Sequence, residues 1–434
     1  SKELLDFLSK SPTAFHAVEN YRQILNADGF KELLESEHWD IVPGGKYYVT
    51  RNNTSILAFK VGTKLDNYSF NIVTSHTDSP TFKVKENAEI EVKNKYTQLN
   101  TEGYGGMLCA TWLDRPLSIA GRVLVSEGNS IVTKLLNIDR DLLMIPNVAI
   151  HMNRAANDGF KYNLQVDMLP LLSAGDDRQK DFKQILADEL GVKKEDILGH
   201  DLYLYNRMAP SIWGANEEFI SAGHLDDLQC GFASLKALLA GYNDESIDIM
   251  ACFDNEEVGS GTKQGADSTL LRDTLTRINS ALGKTEEDYY RALASSFMLS
   301  SDNAHAVHPN HPEHTDATNC TYMNEGVVVK SHAGQKYTSD GVSMAVVKAL
   351  ASGADVPLQY FANRSDKAGG STLGNIAMAQ ASMNAVDIGL PQLAMHSSYE
   401  TAGIKDTYYA ISLMKALFDS HIQETSTHSL EIKR

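Results

Sequence analysis

I-D-I-M-A-C-F-D-N-E-E-V-G-S, residues 247–260, is the stretch on which the reading of this chain turns. A mainly apolar run from Ile247 to Phe253 stops abruptly at Asp254, Asn255, Glu256 and Glu257, and Val258, Gly259, Ser260 and Gly261 follow. A buried strand reaching the edge of an α/β sheet has this pattern, and ligands bind beyond the carboxyl ends of such strands. Two adjacent glutamates at that position cost free energy unless something there needs negative charge. One could hold a metal ion while its neighbour handles protons. The competing reading is a solvated turn opening a helix whose dipole favours carboxylates. The other strand ends must decide between them.

Working outward toward the N-terminus, Tyr68 to Thr74 is a second apolar strand, and it too ends in polar residues, Ser75-His76-Thr77-Asp78-Ser79-Pro80. His76 and Asp78 fall on one side of an extended chain, because strand side chains repeat every two residues. That pairing suits an imidazole ligand oriented by a nearby carboxylate. Upstream, Lys46 to Thr50 and Ser55 to Val61 read as a hairpin, and residues 1–40 as two helices punctuated at Ser11-Pro12-Thr13. The first ten residues resemble a short amphipathic helix and lack the apolar core of a signal peptide.

On the C-terminal side, the α/β rhythm resumes after residue 221. Helices are expected at Leu225–Ala240, Ser268–Leu282, Glu286–Phe297, Ser339–Ala351, Ser371–Met383 and Thr407–Phe418. Strands are expected at Gly326–Val329, Leu358–Phe361, Ala385–Gly389 and Gln392–Met395. This alternation implies an α/β fold, a mostly parallel sheet flanked by helices. Between about residues 85 and 221 the texture differs: short alternating runs separated by Gly, Asn, Asp and Glu predict a β-rich module with one convincing helix, Arg178 to Leu190. The chain therefore divides into an α/β part, residues 1–84 and 222–434, and a β-rich part, residues 85–221, read as an insertion into it.

The totals fit that picture. The 434 residues carry 39 basic and 56 acidic side chains, a net charge of −17, which argues against nucleic acid or an anionic membrane as partner. No apolar run approaches the ~20 residues needed to span a bilayer. Cys109, Cys230, Cys252 and Cys320 are far apart and fit no zinc-knuckle spacing, as expected of buried thiols in a reducing cytoplasm.

A His or carboxylate recurs at the ends of core elements: His76, Asp226 with Asp227, Glu256 with Glu257, Asp302, and His396. Two histidines and several carboxylates make the N/O donor set that suits zinc, with one carboxylate available to bridge a pair of ions and one glutamate left as general base. Rival motifs are weaker. Gly259, Gly261 and Gly265 miss the dinucleotide spacing, Gly369 to Gly374 lacks a Walker lysine, and no G-x-S-x-G is present. His305, His308, His311 and His314 form a local cluster interrupted by Pro309 and Pro312, with His305 placed nearest the site through Asp302.

Six strings in order, S-H-T-D-S-P at 75–80, F-I-S-A-x-x-L-D-D-L at 219–228, D-N-E-E-V-G-S at 254–260, S-S-D-N-A-H-A-V-H-P-N at 300–310, G-G-S-T-L-G at 369–374 and M-H-S-S-Y-E-T-A-G at 395–403, resemble the aspartyl-aminopeptidase-like family of di-zinc metalloaminopeptidases. The resemblance spans essentially the whole chain. It implies two zinc ions per subunit, with cobalt or manganese as substitutes, bridged by Asp226. His76 and Asp302 complete one site, Glu257 and His396 the other. Glu256 is the implied general base and Asp78 the partner of His76. His151 is implied to reach a neighbouring subunit's site and stabilise the oxyanion. Lys330 is implied to border the pocket for the substrate's first side chain, where a cation favours Asp or Glu. The family further implies that residues 85–221 form a dimerisation domain, that the substrates are peptides with a free N-terminus, and that the assembly is a tetrahedral dodecamer built from dimers. Two departures stand out: His224 replaces a common Arg and Asp227 a common Asn. A di-metal deacylase on the same architecture, and a scaffold without chemistry, are the alternatives.

Overall fold

The computed structural model describes residues 1–175 and 181–434. Its centre is a nine-stranded sheet made of β1 (Lys31–Leu33), β2 (Lys46–Arg51), β3 (Ser55–Val61), β4 (Ser69–His76), β5 (Ser246–Phe253), β6 (Phe297–Ser301), β7 (Val327–Lys330), β8 (Leu358–Phe361) and β9 (Asn384–Gly389). The strand order is β1-β2-β3-β5-β4-β6-β9-β7-β8. The sheet is mixed. Its middle four strands, β5-β4-β6-β9, are mutually parallel, whereas β3 meets β5 and β7 meets β9 antiparallel.

Period-two burial explains why both faces are covered. Val73, Met250, Cys252 and Leu299 point into one core, beneath the helices Ala14–Ala27, Leu225–Ala240, Gly341–Gly353 and Asp406–Phe418. Ile72, Ile249, Ala251, Phe253 and Met298 point into the other, beneath Leu270–Ala281 and Gly374–Gln380. Strands buried on both faces read as near-continuous apolar runs, as they do here.

Parallel register then does the work of assembly. Phe253 pairs with His76 and Ser301 with Ile388. The polar residues that follow β4, β5 and β6 therefore emerge along one edge of the sheet.

Residues Thr81–Asn206 contribute a separate six-stranded antiparallel sheet in the order Ser130–Asn137, Leu117–Glu127, Ile197–Asn206, Thr81–Val92, Tyr96–Tyr104, Leu171–Ala174. It has its own core around Phe82, Trp112, Ile119 and Leu202. A smaller sheet of Ser211–Trp213, Phe219–Ala222, Ala304–His305, Pro391–Leu393 and Glu400–Gly403 includes the segment that follows β6.

Four elements differ from expectation. Residues 1–40 are not helical throughout: the second helix ends at Ala27, and Lys31–Leu33 joins the large sheet as β1. The helix expected over Glu286–Phe297 stops at Ala294, because Phe297 is taken into β6 between β4 and β9. The helix expected over Ser371–Met383 is confined to Gly374–Gln380. That expected at Arg178–Leu190 is seen over Phe182–Leu190, capped by Asp181 and closed by left-handed Gly191; residues 178–180 lie outside the described chain. A C-terminal hairpin, His421–Ser426 with Ser429–Lys433, follows the last helix and was not anticipated.

Candidate metal centre

β4, β5 and β6 deliver His76, Glu256 with Glu257, and Asp302 to one edge; the start of the Leu225–Ala240 helix adds Asp226, and the turn after Pro391–Leu393 adds His396. Asp226 and Asp227 have non-helical φ/ψ, so the regular helix starts after them and the Asp226 carboxylate is free to face the cluster.

Asp226 presents a different oxygen to each histidine. Oδ1 is 3.3 Å from His76 Nε2, and Oδ2 is 3.4 Å from His396 Nε2. Asp302 Oδ1 lies 4.0 Å from His76 Nε2, and Glu257 Oε2 lies 3.3 Å from His396 Nε2. Three overlapping sets of potential ligands follow, His76–Asp226–Asp302, His396–Asp226–Glu257 and His76–Glu256–Glu257, each with its ligand atoms within 4.8 Å of one another. Glu256 approaches the first set, its Oε2 4.0 Å from His76 Nε2.

The far sides of the ligands are held by hydrogen bonds. His76 Nδ1 donates to the Asp78 carbonyl at 3.0 Å, and His396 Nδ1 donates to the Gly106 carbonyl at 3.0 Å. Both rings therefore turn Nε2 toward the carboxylates, the orientation a metal-binding imidazole requires. The Asp78 side chain accepts the backbone N–H of Glu256 and of Glu257, each at 3.1 Å. Asp227 stays outside the cluster and accepts the His76 N–H at 3.1 Å.

Charge is concentrated here and cannot be solvated. Burial, reinforced by Asp302, Asp78 and Asp226 against the pull of His76, raises Glu256 to about 8. Burial raises Asp302 to about 6, with Lys330 opposing and Asp226 adding to the rise. Glu257 is raised well above the carboxylate range, first by burial and then by Asp226. For Asp226, burial is outweighed by His396 and His76, which hold it below the usual range. His76 is the reverse case, where burial opposes a charge but Asp226 and Asp78 hold the proton on.

Glu257 Oε1 is buried with no hydrogen-bond partner, and Asp226 Oδ1 is buried with only the His76 ring facing it. A buried group of carboxylates with unpaired oxygens, faced by two imidazoles, calls for cations, and this donor set fits zinc.

The cleft above the cluster encloses about 370 Å³ and is lined by Asp226, Glu256, Glu257, Asp302, His305, Lys330, Phe361 and His396, among others. Lys330 is buried; its Nζ donates to the Asn303 carbonyl at 2.8 Å, while Asp302 and Asp387 stabilise its charge against burial. His151 is exposed and does not line the cleft of its own chain. His224 is pushed down to about 4 by burial and contributes to a different wall, behind Asp78.

Sequence reasoning passed over two contributors. Glu400 is buried and accepts the backbone N–H of Asp226 at 3.0 Å and of His396 at 2.8 Å. Tyr104 donates its hydroxyl to Asp78 Oδ2 at 2.6 Å, and Asn255 Nδ2 donates to that hydroxyl at 2.9 Å. Glu400 stands four residues after His396, inside a string already singled out. Tyr104 carries no comparable signal, since it arrives from the other sheet.

Residues 7–418 match the family model described as aminopeptidase I zinc metalloprotease (M18). A probable M18 family aminopeptidase 2 from Clostridium novyi is 48% identical over 425 residues, 96% of this chain and 98% of its relative. Among solved structures, the cryo-EM structure of the Ape4 and Nbr1 complex is similar with a TM-score of 0.93 at 35% identity, over 96% of this chain and 85% of that one. The S. cerevesiae mApe1 dodecamer gives a TM-score of 0.83 at 28% identity, over 96% and 95%. Fold and family together define a metal-dependent hydrolase of peptide bonds, a zinc metalloaminopeptidase. The chain belongs to the M18 family of aminopeptidases.

Proposed function

We propose that this aminopeptidase works with two zinc ions, His76, Asp226 and Asp302 holding one and His396, Asp226 and Glu257 the other, with Glu256 as general base. One observation carries the reading: the two oxygens of Asp226 face two different imidazoles at 3.3 and 3.4 Å. Bound zinc supplies Lewis acidity, polarising the scissile carbonyl and acidifying water. Cobalt or manganese could stand in, both being divalent ions that accept N/O donors.

Glu256 takes the proton of the attacking water and delivers it to the departing amine. Its place supports this, since it approaches the His76 side of the cluster and its own N–H is fixed by Asp78. Asp78 holds His76 by backbone and side chain, with its Oδ1 3.3 Å from His76 Nδ1. The carboxylates around the cluster also suit the free α-ammonium group of a peptide. Lys330 borders the site of the first side chain and favours Asp or Glu there.

Residues 1–84 and 222–434 act as the catalytic unit, and 85–221 as the dimerisation unit. His151, exposed on that unit, serves a neighbouring subunit's oxyanion. The likeness to the S. cerevesiae mApe1 dodecamer supports a homo-oligomer. Its form, in this reading, is a tetrahedral dodecamer built from dimers. A cytoplasmic setting agrees with four unpaired cysteines. No described helix is long and apolar enough to cross a membrane.

Aminoacyl-p-nitroanilides assayed beside N-acyl amino acids test the activity. Hydrolysis of the former alone is expected; cleavage of the latter alone would make the enzyme a deacylase.

A further inference from the structure

A second cluster of metal-binding side chains lies outside the zinc cleft, in H-P-N-H-P-E-H at residues 308–314. A tight turn over Pro312–His314 brings His311, Glu313 and His314 together, one ligand atom of each within 4.8 Å of the others. His311 Nδ1 lies 3.0 Å from Glu313 Oε1, and the rings of His311 and His314 stack with centroids 5.3 Å apart. Donor atoms around a tetrahedral zinc ion sit about 3.3 Å from one another, given bonds near 2.0–2.1 Å. Small side-chain rotations would therefore close this trio on an ion.

The ligand set has a natural limit. His308 is excluded because its Nδ1 accepts the Asn310 N–H at 3.2 Å, which leaves the ring proton on Nε2; its ring packs beside His311 instead, centroids 5.6 Å apart. The loop is anchored from outside, where the Arg364 guanidinium donates to the Glu313 carbonyl while pairing with Asp366.

We infer that His311, Glu313 and His314 form an exchangeable site for a divalent ion of the zinc class, separate from the catalytic pair. Two imidazoles and one carboxylate favour zinc, copper or nickel over magnesium or calcium. All three residues are exposed, so the remaining coordination positions fall to water. His314 also lines a pocket of about 260 Å³ that shares His305 and Phe361 with the catalytic cleft.

Full-length enzyme dialysed to equilibrium against micromolar free zinc provides the test. Wild type should hold one more ion per chain than the His311→Ala/His314→Ala double variant, with equal turnover at low zinc. The same dialysis against magnesium should show no difference. Glu313→Gln, nearly unchanged in size, repeats the comparison without disturbing the stacked rings and should take up the extra ion more weakly. Equal zinc content and affinity in wild type and variants would overturn the inference.

Discussion

The Tyr104 hydroxyl donates to Asp78 Oδ2 at 2.6 Å, so the last residue of a strand in the antiparallel sheet bears directly on the catalytic edge of the other sheet. Two residues later the Gly106 carbonyl accepts from His396. One short segment thus touches both halves of the cluster. A hydrogen bond to a carboxylate contributes about 1.5–3 kcal/mol. Tyr104→Phe should therefore lower kcat about tenfold or more through a displaced Asp78, with zinc content retained and KM little changed. Unaltered kcat would show that Asp78 needs no support from this sheet.

Asp226 serves both imidazoles with one carboxylate. Replacing it by Ala should cost the protein both ions together, measured as zinc per chain after gel filtration. A variant that kept one ion at wild-type affinity would show that the two sites do not share this ligand.

Glu400 positions the backbone of both Asp226 and His396 without facing the cleft. Outer hydrogen-bond partners of this kind typically govern 10–100-fold in metal affinity. Glu400→Gln keeps one acceptor oxygen but sets an NH2 against the second N–H, so zinc affinity should fall about tenfold. Unchanged affinity in a zinc-chelator competition would contradict this.

Stability should respond to pH in a metal-dependent way. Glu256 and Glu400 are both raised to about 8, chiefly by burial. A carboxyl group whose folded-state pKa lies above its unfolded value stabilises the fold fully only below the unfolded value, and that contribution is lost as pH rises through about 8. Zinc offsets this loss by stabilising the ionised carboxylates. The gain in Tm on adding zinc should therefore be larger above pH 8 than at pH 6, by differential scanning fluorimetry. An equal gain at both would show that these groups are ionised without metal.

Much of the centre was legible because a strand that ends in polar side chains is conspicuous. His76, Glu256, Glu257 and Asp302 each stand just past an apolar run, and parallel pairing brought those run ends to one edge. Lys330 lines the cleft, but only the family resemblance pointed to it, since a lysine at a strand end carries no such signal by itself. The rest depended on geometry that linear spacing does not carry. Tyr104 is distant in sequence from Asn255, and only the packing of two sheets brings them into contact. The mixed direction of the large sheet was also hidden, since a fully buried strand is equally apolar whichever way it runs. Glu286–Phe297 read as one helix because nothing in its composition marks Phe297 as the start of β6.

The central claim is that Glu256 moves protons while its neighbour Glu257 holds metal. The most direct measurement is kcat of Glu256→Gln at full zinc loading on an aminoacyl-p-nitroanilide. Wild-type zinc content with a fall of about 10²–10⁴-fold in kcat is predicted, the usual contribution of a general base. Full zinc content with kcat near that of wild type would contradict the account.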